Sequence, residues 1–172
     1  MKDTSKPLTL SLALLCAAFA AKGQAPHTAV VGDLRVTLTA VRDASAQDLQ
    51  EYNLSPEPGH HSVLIFMNVS NLANYSSCTR PEFWLVVKQG YQYRGRIPAA
   101  RKYLKTYGVP PGEESEGVVT FEVKDGTQPA ILKLVRDSDA DWICGYSQHR
   151  KKPTPGPGTD RLSLSGLPSQ KE

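Results

Sequence analysis

The chain has 172 residues, a formal net charge of +3, and 13 glycines and 13 prolines. This length fits a single globular domain. So many turn-forming residues are unusual in a helical bundle and favour a β-rich fold. The small positive charge does not require a nucleic-acid partner, and we expect no specific nucleic acid to bind.

The N-terminus has the pattern of a secretory leader. Lys2 and Lys6 precede an apolar run over residues 8–20, which ends in Ala-Phe-Ala. A basic start, a short apolar core and small residues at the cut are typical of a signal peptide. The run is shorter than the ~20 residues that a membrane span needs. We therefore expect a signal peptide over 1–20, a flexible segment over 21–28, and a secreted or periplasmic protein with no transmembrane span after cleavage.

The first strand signals lie on either side of a polar connection. Residues 34–40 alternate apolar and polar side chains, which predicts a strand with one solvated face. The polar connection follows over 44–61, with one helical turn predicted over 46–52. Residues 62–70 are apolar on both faces, which is typical of a central strand buried on two sides.

The second half of the sequence predicts more strands. Residues 83–88 alternate, and Gly90 indicates the turn of a hairpin. A Pro-Pro-Gly turn and an acidic patch precede the strand over 116–123, and the last two strands are predicted over 130–136 and 142–147. Strands that recur every 10 to 20 residues without an amphipathic helix between them indicate an antiparallel sandwich.

The C-terminal residues 148–172 differ in composition from the rest. They are rich in proline, glycine and serine and poor in apolar side chains. Such a segment cannot bury enough apolar surface to offset the entropy of ordering. We expect a disordered tail, and a tether or a partner-binding segment is the alternative.

Two cysteines remain after loss of the leader, which removes Cys16. They are Cys78 and Cys144. In an oxidising compartment an even number of cysteines favours a disulfide, and two cysteines allow only one connectivity. Free thiols or metal ligands are the alternative.

The order of the motifs resembles a known family. A strand ends at Asn before a polar corner, a Phe-x-Leu strand leads to a Gly-Tyr turn, and a Pro-Gly-Glu turn begins a Gly-x-Val-x-Phe-x-Val strand. In this chain the motifs fall at Asn71, Phe83, Leu85, Gly90, Tyr91, Pro111, Gly112, Glu113 and Phe121. They resemble the bacterial exported domains of unknown function with an immunoglobulin-like sandwich, related to the secreted mycobacterial immunoprotective antigen. The resemblance covers about residues 32–135 and implies an all-β, immunoglobulin-like antiparallel β-sandwich, which we expect to extend over residues 29–147. It implies export, and it brings no catalytic residues.

One loop is the best candidate for an interaction surface. Basic and aromatic side chains alternate there with no acid among them: Tyr91, Tyr93, Arg94, Arg96, Arg101, Lys102, Tyr103, Lys105 and Tyr107. Such a surface suits an anionic partner such as a surface polysaccharide, a lipid head group or nucleic acid. The partner that we expect is an unknown protein or a component of the cell envelope. The simpler interpretation is a solvated loop whose tyrosines pack partly on the core.

The function that these observations favour is a non-enzymatic binding or interaction domain without a cofactor. A first alternative is a periplasmic copper-handling protein, because His60, His61 and Met67 offer imidazole and sulfur ligands. A second alternative is a secreted hydrolase. It would need a polar pocket with a perturbed acid or base, and the sequence has no Gly-x-Ser-x-Gly motif.

Overall fold

The structure is a computed structural model, and it describes residues 27–77, 79–99, 103–136 and 160–168. The described residues form eight strands and one short helix. In chain order these are β1 (Thr28–Val31), β2 (Leu34–Asp43), α1 (Ala46–Glu51), β3 (His60–Asn71), β4 (Pro81–Val87), β5 (Gln92–Arg94), β6 (Glu114–Lys124), β7 (Pro129–Arg136) and β8 (Asp160–Ser163).

The strands form two four-stranded sheets. The first sheet has the order β1-β2-β3-β6 and the second has the order β5-β4-β7-β8. Every pairing is antiparallel. The structure thus confirms the predicted antiparallel β-sandwich, with β3 as a central strand and a hairpin between β4 and β5.

The core lies between the two sheets and follows the alternation of the strands. On β4 the side chains of Phe83, Leu85 and Val87 are buried, while the residues between them are half-buried on the outer face. On β6 Val119 and Phe121 are fully buried. Alternate side chains of a strand point to opposite faces of its sheet, so each strand gives one set of residues to the core.

The connection before β3 carries the predicted helical turn, which is α1. Ser45 caps this helix, and its hydroxyl exchanges hydrogen bonds with Asp48. The Arg42 guanidinium of β2 pairs with both carboxylate oxygens of Asp48 and lies 5.1 Å from the Phe66 ring centre. Burial alone would raise the pKa of Asp48, but the hydrogen bonds from Arg42 and Ser45 outweigh it and hold that pKa below its usual value. This ion pair fixes α1 to the outer face of the first sheet.

A buried asparagine closes the corner after β3. The Nδ2 of Asn71 donates to the backbone oxygens of Tyr75 at 2.6 Å and Val109 at 2.8 Å, and its Oδ1 accepts from the Ala73 amide at 2.8 Å. These three hydrogen bonds satisfy backbone groups that have no partner in a sheet. The Asn of the motif is therefore a structural residue.

The predicted disordered tail is wrong over residues 160–168. Asp160–Ser163 form β8, which pairs with the edge of β7, and Leu162 and Leu164 are buried in the core. Two leucines spaced two apart give this segment an inward face that the average composition of the tail conceals. By pairing with β7, the segment also covers an edge that would otherwise expose unpaired backbone groups.

Several other predictions fall on residues outside the described part of the chain. These are the leader over 1–20, the strand over 142–147, the remaining tail residues, and both cysteines of the predicted disulfide. They stay predictions. Within the described residues, no helix is long and apolar enough to cross a bilayer.

Candidate functional site

A cleft lies where the chain leaves β5 and crosses from the second sheet to the first. Gly95 donates from its backbone nitrogen to the Phe83 oxygen at 2.8 Å, and Arg96 then pairs with Thr120 of β6 in the other sheet. A Cβ at position 95 would lie 2.6 Å from Val119 Cγ1 and 2.7 Å from Phe121 Cε1. Only glycine lets the backbone pass this close to the core, so Gly95 fixes the path of the chain at the cleft.

A second segment, residues 103–107, passes over the start of β6. Its burial alternates: Leu104 is fully buried and Thr106 is nearly so. A Cβ on Gly117 would lie 2.6 Å from the Leu104 Cβ, so Gly117 makes the room in which Leu104 packs. The Lys105 backbone nitrogen also donates to Ser115 Oγ at 2.7 Å.

This alternation presents three side chains together. Because residues 104 and 106 point inward, Tyr103, Lys105 and Tyr107 all project from the other side of the segment. Tyr103 is 57% exposed and Tyr107 is 40% exposed, values that are high for large aromatic side chains. Two aromatic side chains with a cation between them thus form one side of a cleft.

The cleft between this segment and the β4–β5 hairpin has a volume of about 990 Å³. The other side comes from the start of β4 and the end of β5. The lining includes Arg80, Glu82, Phe83, Arg94 and Ile97. Ligand pockets usually have volumes of about 300–1,000 Å³, so the space is large enough for several units of a chain-like ligand.

Charge in the cleft is predominantly positive. Three cationic side chains, Arg80, Arg94 and Lys105, face one carboxylate, Glu82, which gives a net formal charge of +2. Glu82 is already engaged, because its Oε1 accepts from Arg94 Nη2 at 2.5 Å and its Oε2 accepts from Trp84 Nε1 at 3.2 Å. Arg80 and Lys105 form no ion pair with any residue that the structure describes.

Arg94 connects the cleft with the outer face of the second sheet. Arg94 is the cross-strand partner of Trp84, Trp84 is the partner of Lys133, and Lys133 is the partner of Arg161 on β8. Neighbouring strands lie about 4.8 Å apart, so these four side chains form one row across the sheet. We call them the basic row. It places a half-buried tryptophan among three cations next to the cleft.

The structure brings together only part of the predicted surface. Tyr103, Lys105 and Arg94 line the cleft. Tyr93 packs against the core, as the simpler interpretation expected of some tyrosines, and Arg96 lines a neighbouring cleft. Tyr91 is exposed at the far end of the hairpin, and Arg101 and Lys102 lie outside the described residues.

The copper ligands of the alternative hypothesis do not meet. Met67 is fully buried in the core. His60 and His61 are consecutive on β3, so their side chains point to opposite faces of the sheet. Six to seven residues of strand, roughly 20 Å, separate them from Met67. These three residues therefore cannot bind one ion, and that ligand set is wrong.

Sequence reasoning missed Arg80 and Glu82. Arg80 directly precedes β4 and Glu82 is the second residue of that strand. Both are far along the chain from Lys105, so no local pattern connects them. Pairing of Trp84 with Arg94 in the hairpin brings the start of β4 to the end of β5, and a register count from Gly90 could have found this.

These features define a class of protein: a two-sheet antiparallel β-sandwich with a basic, aromatic cleft at one end. The chain belongs to the family described as domain of unknown function (DUF4352), which matches residues 25–142.

Two solved structures are similar to the chain. One is MPT63, a secreted protein from Mycobacterium tuberculosis, with 17% identity over 61% of this chain and 76% of that one and a TM-score of 0.43. The other is an uncharacterised β-sandwich protein from Clostridium difficile 630, with 12% identity over 64% of this chain and 83% of that one and a TM-score of 0.39. No curated protein matches the chain.

Proposed function

We propose that this protein is an exported, non-enzymatic binding domain whose cleft takes an anionic polymer of the cell envelope. The observation that carries the proposal is the lining of the cleft, in which Arg80, Arg94 and Lys105 lie with the exposed Tyr103 and Tyr107. Export rests on the leader pattern of residues 1–20.

Charge supports an anionic ligand. Arginine side chains bind carboxylate and phosphate groups through paired N–H donors, and lysine adds a point charge. Arg94 can shift from Glu82 to a ligand at low cost, because its side chain is 65% exposed and surface ion pairs contribute little to stability. The cleft can therefore meet a ligand anion without first breaking a buried contact.

Shape supports a polymer rather than a small ion. Arg94 lines the cleft and also belongs to the basic row, which extends from β5 over β4 and β7 to β8. Exposed aromatic faces give a chain-like ligand apolar contact area between its charged groups. A carbohydrate chain with carboxylate or phosphate groups has both features, and it is the partner that we propose.

Binding rather than catalysis is the role that the described ionisable groups favour. Asp48 has a lowered pKa, and burial together with the Glu51 charge raises the pKa of Tyr52. Both residues belong to the region of α1, and neither lines the cleft. The shifts at Asp48 and Tyr52 thus reflect local packing and an ion pair, and they do not indicate an acid–base pair at the cleft.

Charge reversal in the cleft tests the proposal. The double variant Arg80→Glu and Lys105→Glu should reduce binding to carboxylated or phosphorylated polysaccharides at least tenfold, measured by biolayer interferometry at two salt concentrations. The double variant Arg35→Glu and Lys124→Glu is the control, because it changes the net charge equally and both side chains are exposed on the first sheet, outside the cleft. Equal losses in the two double variants would show that net charge, not the cleft, attracts the polymer, and would overturn the proposal.

An aromatic pair gives a second, independent test. Tyr103→Ala removes a side chain that lines the cleft and is 57% exposed. Tyr91→Ala removes a side chain of similar exposure, 63%, at the far hairpin turn. We expect Tyr103→Ala to weaken binding by about 5- to 100-fold, a range based on aromatic stacking with bases, and Tyr91→Ala to leave it unchanged. Equal effects of the two substitutions would contradict the assignment of the cleft.

A further inference from the structure

A second cleft, of about 350 Å³, contains a group of metal-ligand side chains. The 52–57 loop, the start of β3 and the end of β6 meet there, and Glu57, His60 and Glu122 all line it. Each of the three offers one ligand atom, and these atoms lie within 4.8 Å of one another. Residues 57 and 122 are 65 positions apart, so only the folded sandwich brings them together.

Backbone contacts fix the arrangement. The Glu57 amide donates to Glu122 Oε1 at 2.8 Å, and the His60 amide donates to the Glu57 oxygen at 2.9 Å. Glu122 lies opposite Ser62 in the β3–β6 register and faces the same side of the sheet as His60. The two carboxylates and the imidazole therefore converge on one point at the outer face of the first sheet.

The imidazole of His60 provides a second observation that points to a bound ion. Its Nδ1 is buried and has no hydrogen-bond partner among the described residues. The adjacent His61 differs, because its Nδ1 lies 3.1 Å from an Asp125 oxygen and its Nε2 lies 3.6 Å from an Asp43 oxygen. Buried polar atoms normally have a partner, so the unpaired nitrogen of His60 needs one that the protein does not provide.

We propose that Glu57, His60 and Glu122 bind one Zn²⁺ ion. Imidazole and carboxylate are common zinc ligands, with bonds of about 2.0–2.2 Å, and three protein ligands leave a fourth position open to the cleft. A tetrahedral ion of that size holds its ligand atoms roughly 3.3–3.6 Å apart. Both glutamates are exposed and can rotate inward to reach this spacing.

The chemistry of the ligands disfavours two other ions. Copper(I) prefers sulfur, and the Met67 thioether is buried in the core away from this cleft. Calcium takes six to eight oxygen ligands, whereas this group offers a nitrogen and two carboxylates. The site is thus distinct from the copper site that His60, His61 and Met67 suggested.

Two arginines, Arg94 and Arg96, line the same cleft, and their charges oppose a cation there. Arg94 pairs with Glu82, so Arg96 provides the further test. Removal of this guanidinium by Arg96→Ala should tighten zinc binding severalfold. A general loss of fold would weaken binding instead, so the sign of this effect separates the two.

Isothermal titration of the untagged protein with ZnCl₂ tests the proposal. We expect one ion per chain, at least tenfold weaker binding in Glu122→Gln, and unchanged binding in the matched control His61→Asn. Glu57→Gln serves in place of Glu122→Gln if the latter fails to fold, because Glu57 is an exposed loop residue. Zinc should also raise the melting temperature of the wild-type protein but not of the glutamine variant.

Two outcomes would overturn the proposal. In one, zinc produces neither heat nor thermal stabilisation at a concentration about 100-fold above a micromolar Kd. The other is an equal loss of binding in His61→Asn and Glu122→Gln. Neither outcome bears on the anion-binding cleft, since Glu57, His60 and Glu122 do not line it.

Discussion

Leu162 provides the sharpest test that β8 belongs to the folded domain. Its side chain is fully buried, and it is the cross-strand partner of Leu132 in the core. Leu162→Ala removes three buried carbon atoms and leaves a cavity. Substitutions of this kind cost about 2–5 kcal/mol. In a domain of this size that loss corresponds to a decrease in melting temperature of roughly 6–15 °C.

The neighbouring Arg161 is the matched control, because it is exposed on the same strand. Arg161→Ala should change the free energy of unfolding by no more than about 0.5 kcal/mol. Guanidinium unfolding followed by tryptophan fluorescence measures both values. If Leu162→Ala were as stable as the control, the segment would not pack on β7 and the assignment of β8 would be refuted.

Four further predictions concern other parts of the chain. Asn71→Ala should lower the free energy of unfolding by about 2–4 kcal/mol in denaturant titration, because three hydrogen bonds to backbone groups are lost; a loss below about 0.5 kcal/mol would contradict this. Gly117→Val should lower the free energy of unfolding by about 1–3 kcal/mol and weaken the binding of the anionic polymer in the cleft, because the new side chain displaces the 103–107 segment. Unchanged binding would contradict the position of that segment. Asp48 has a folded pKa below its ordinary value, so its stabilisation is present above pH 4 and is lost as the pH falls through the lower folded pKa. Denaturation midpoints from pH 7 to pH 2 should therefore fall less steeply in Asp48→Asn than in the wild type, and parallel curves would refute this. For Cys78 and Cys144, we expect the intact mass of the purified protein to rise by two hydrogens on reduction, whereas alkylation without reductant would contradict the disulfide.

Much of the fold could be predicted because strand alternation is a local signal. Residues 83–88 alternate in the sequence, and the structure buries Phe83, Leu85 and Val87 on one face of β4. Alternation also puts Gly117 on the same face as Val119 and Phe121, but it does not show the purpose of a glycine there. The contact with Leu104 shows that purpose, and it depends on a loop 13 residues earlier in the chain, which no periodicity reveals.

The fourth strand of the second sheet, β8, could not be predicted, because its signal is too short. It has four residues within a proline- and serine-rich region, and only Leu162 and the nearby Leu164 mark an inward face. A composition average over the whole tail hides two leucines. The available edge of β7, which the segment covers, is a property of the folded sheet and not of the sequence around residue 160.

Both candidate sites combine local and non-local residues. The cluster of Tyr103, Lys105 and Tyr107 is local, and its charge and aromatic content indicated a surface. Arg80 joins it only through the register of the hairpin. In the same way His60 was noticed for its imidazole, whereas Glu122 reaches it across the pairing of β3 with β6. Sequence reasoning therefore found the local members of each site and lacked the partners that are distant in the chain.

Mapping of amide chemical shifts during titration with a carboxylated or phosphorylated oligosaccharide tests the central claim most directly. We predict that the shifts concentrate on residues 80–83, 94–97 and 103–107, and that they diminish at high salt because the contacts are ionic. Shifts that spread evenly over exposed lysines and arginines, or that cluster on the outer face of β2 and β3 instead, would contradict a ligand-binding cleft at this end of the sandwich.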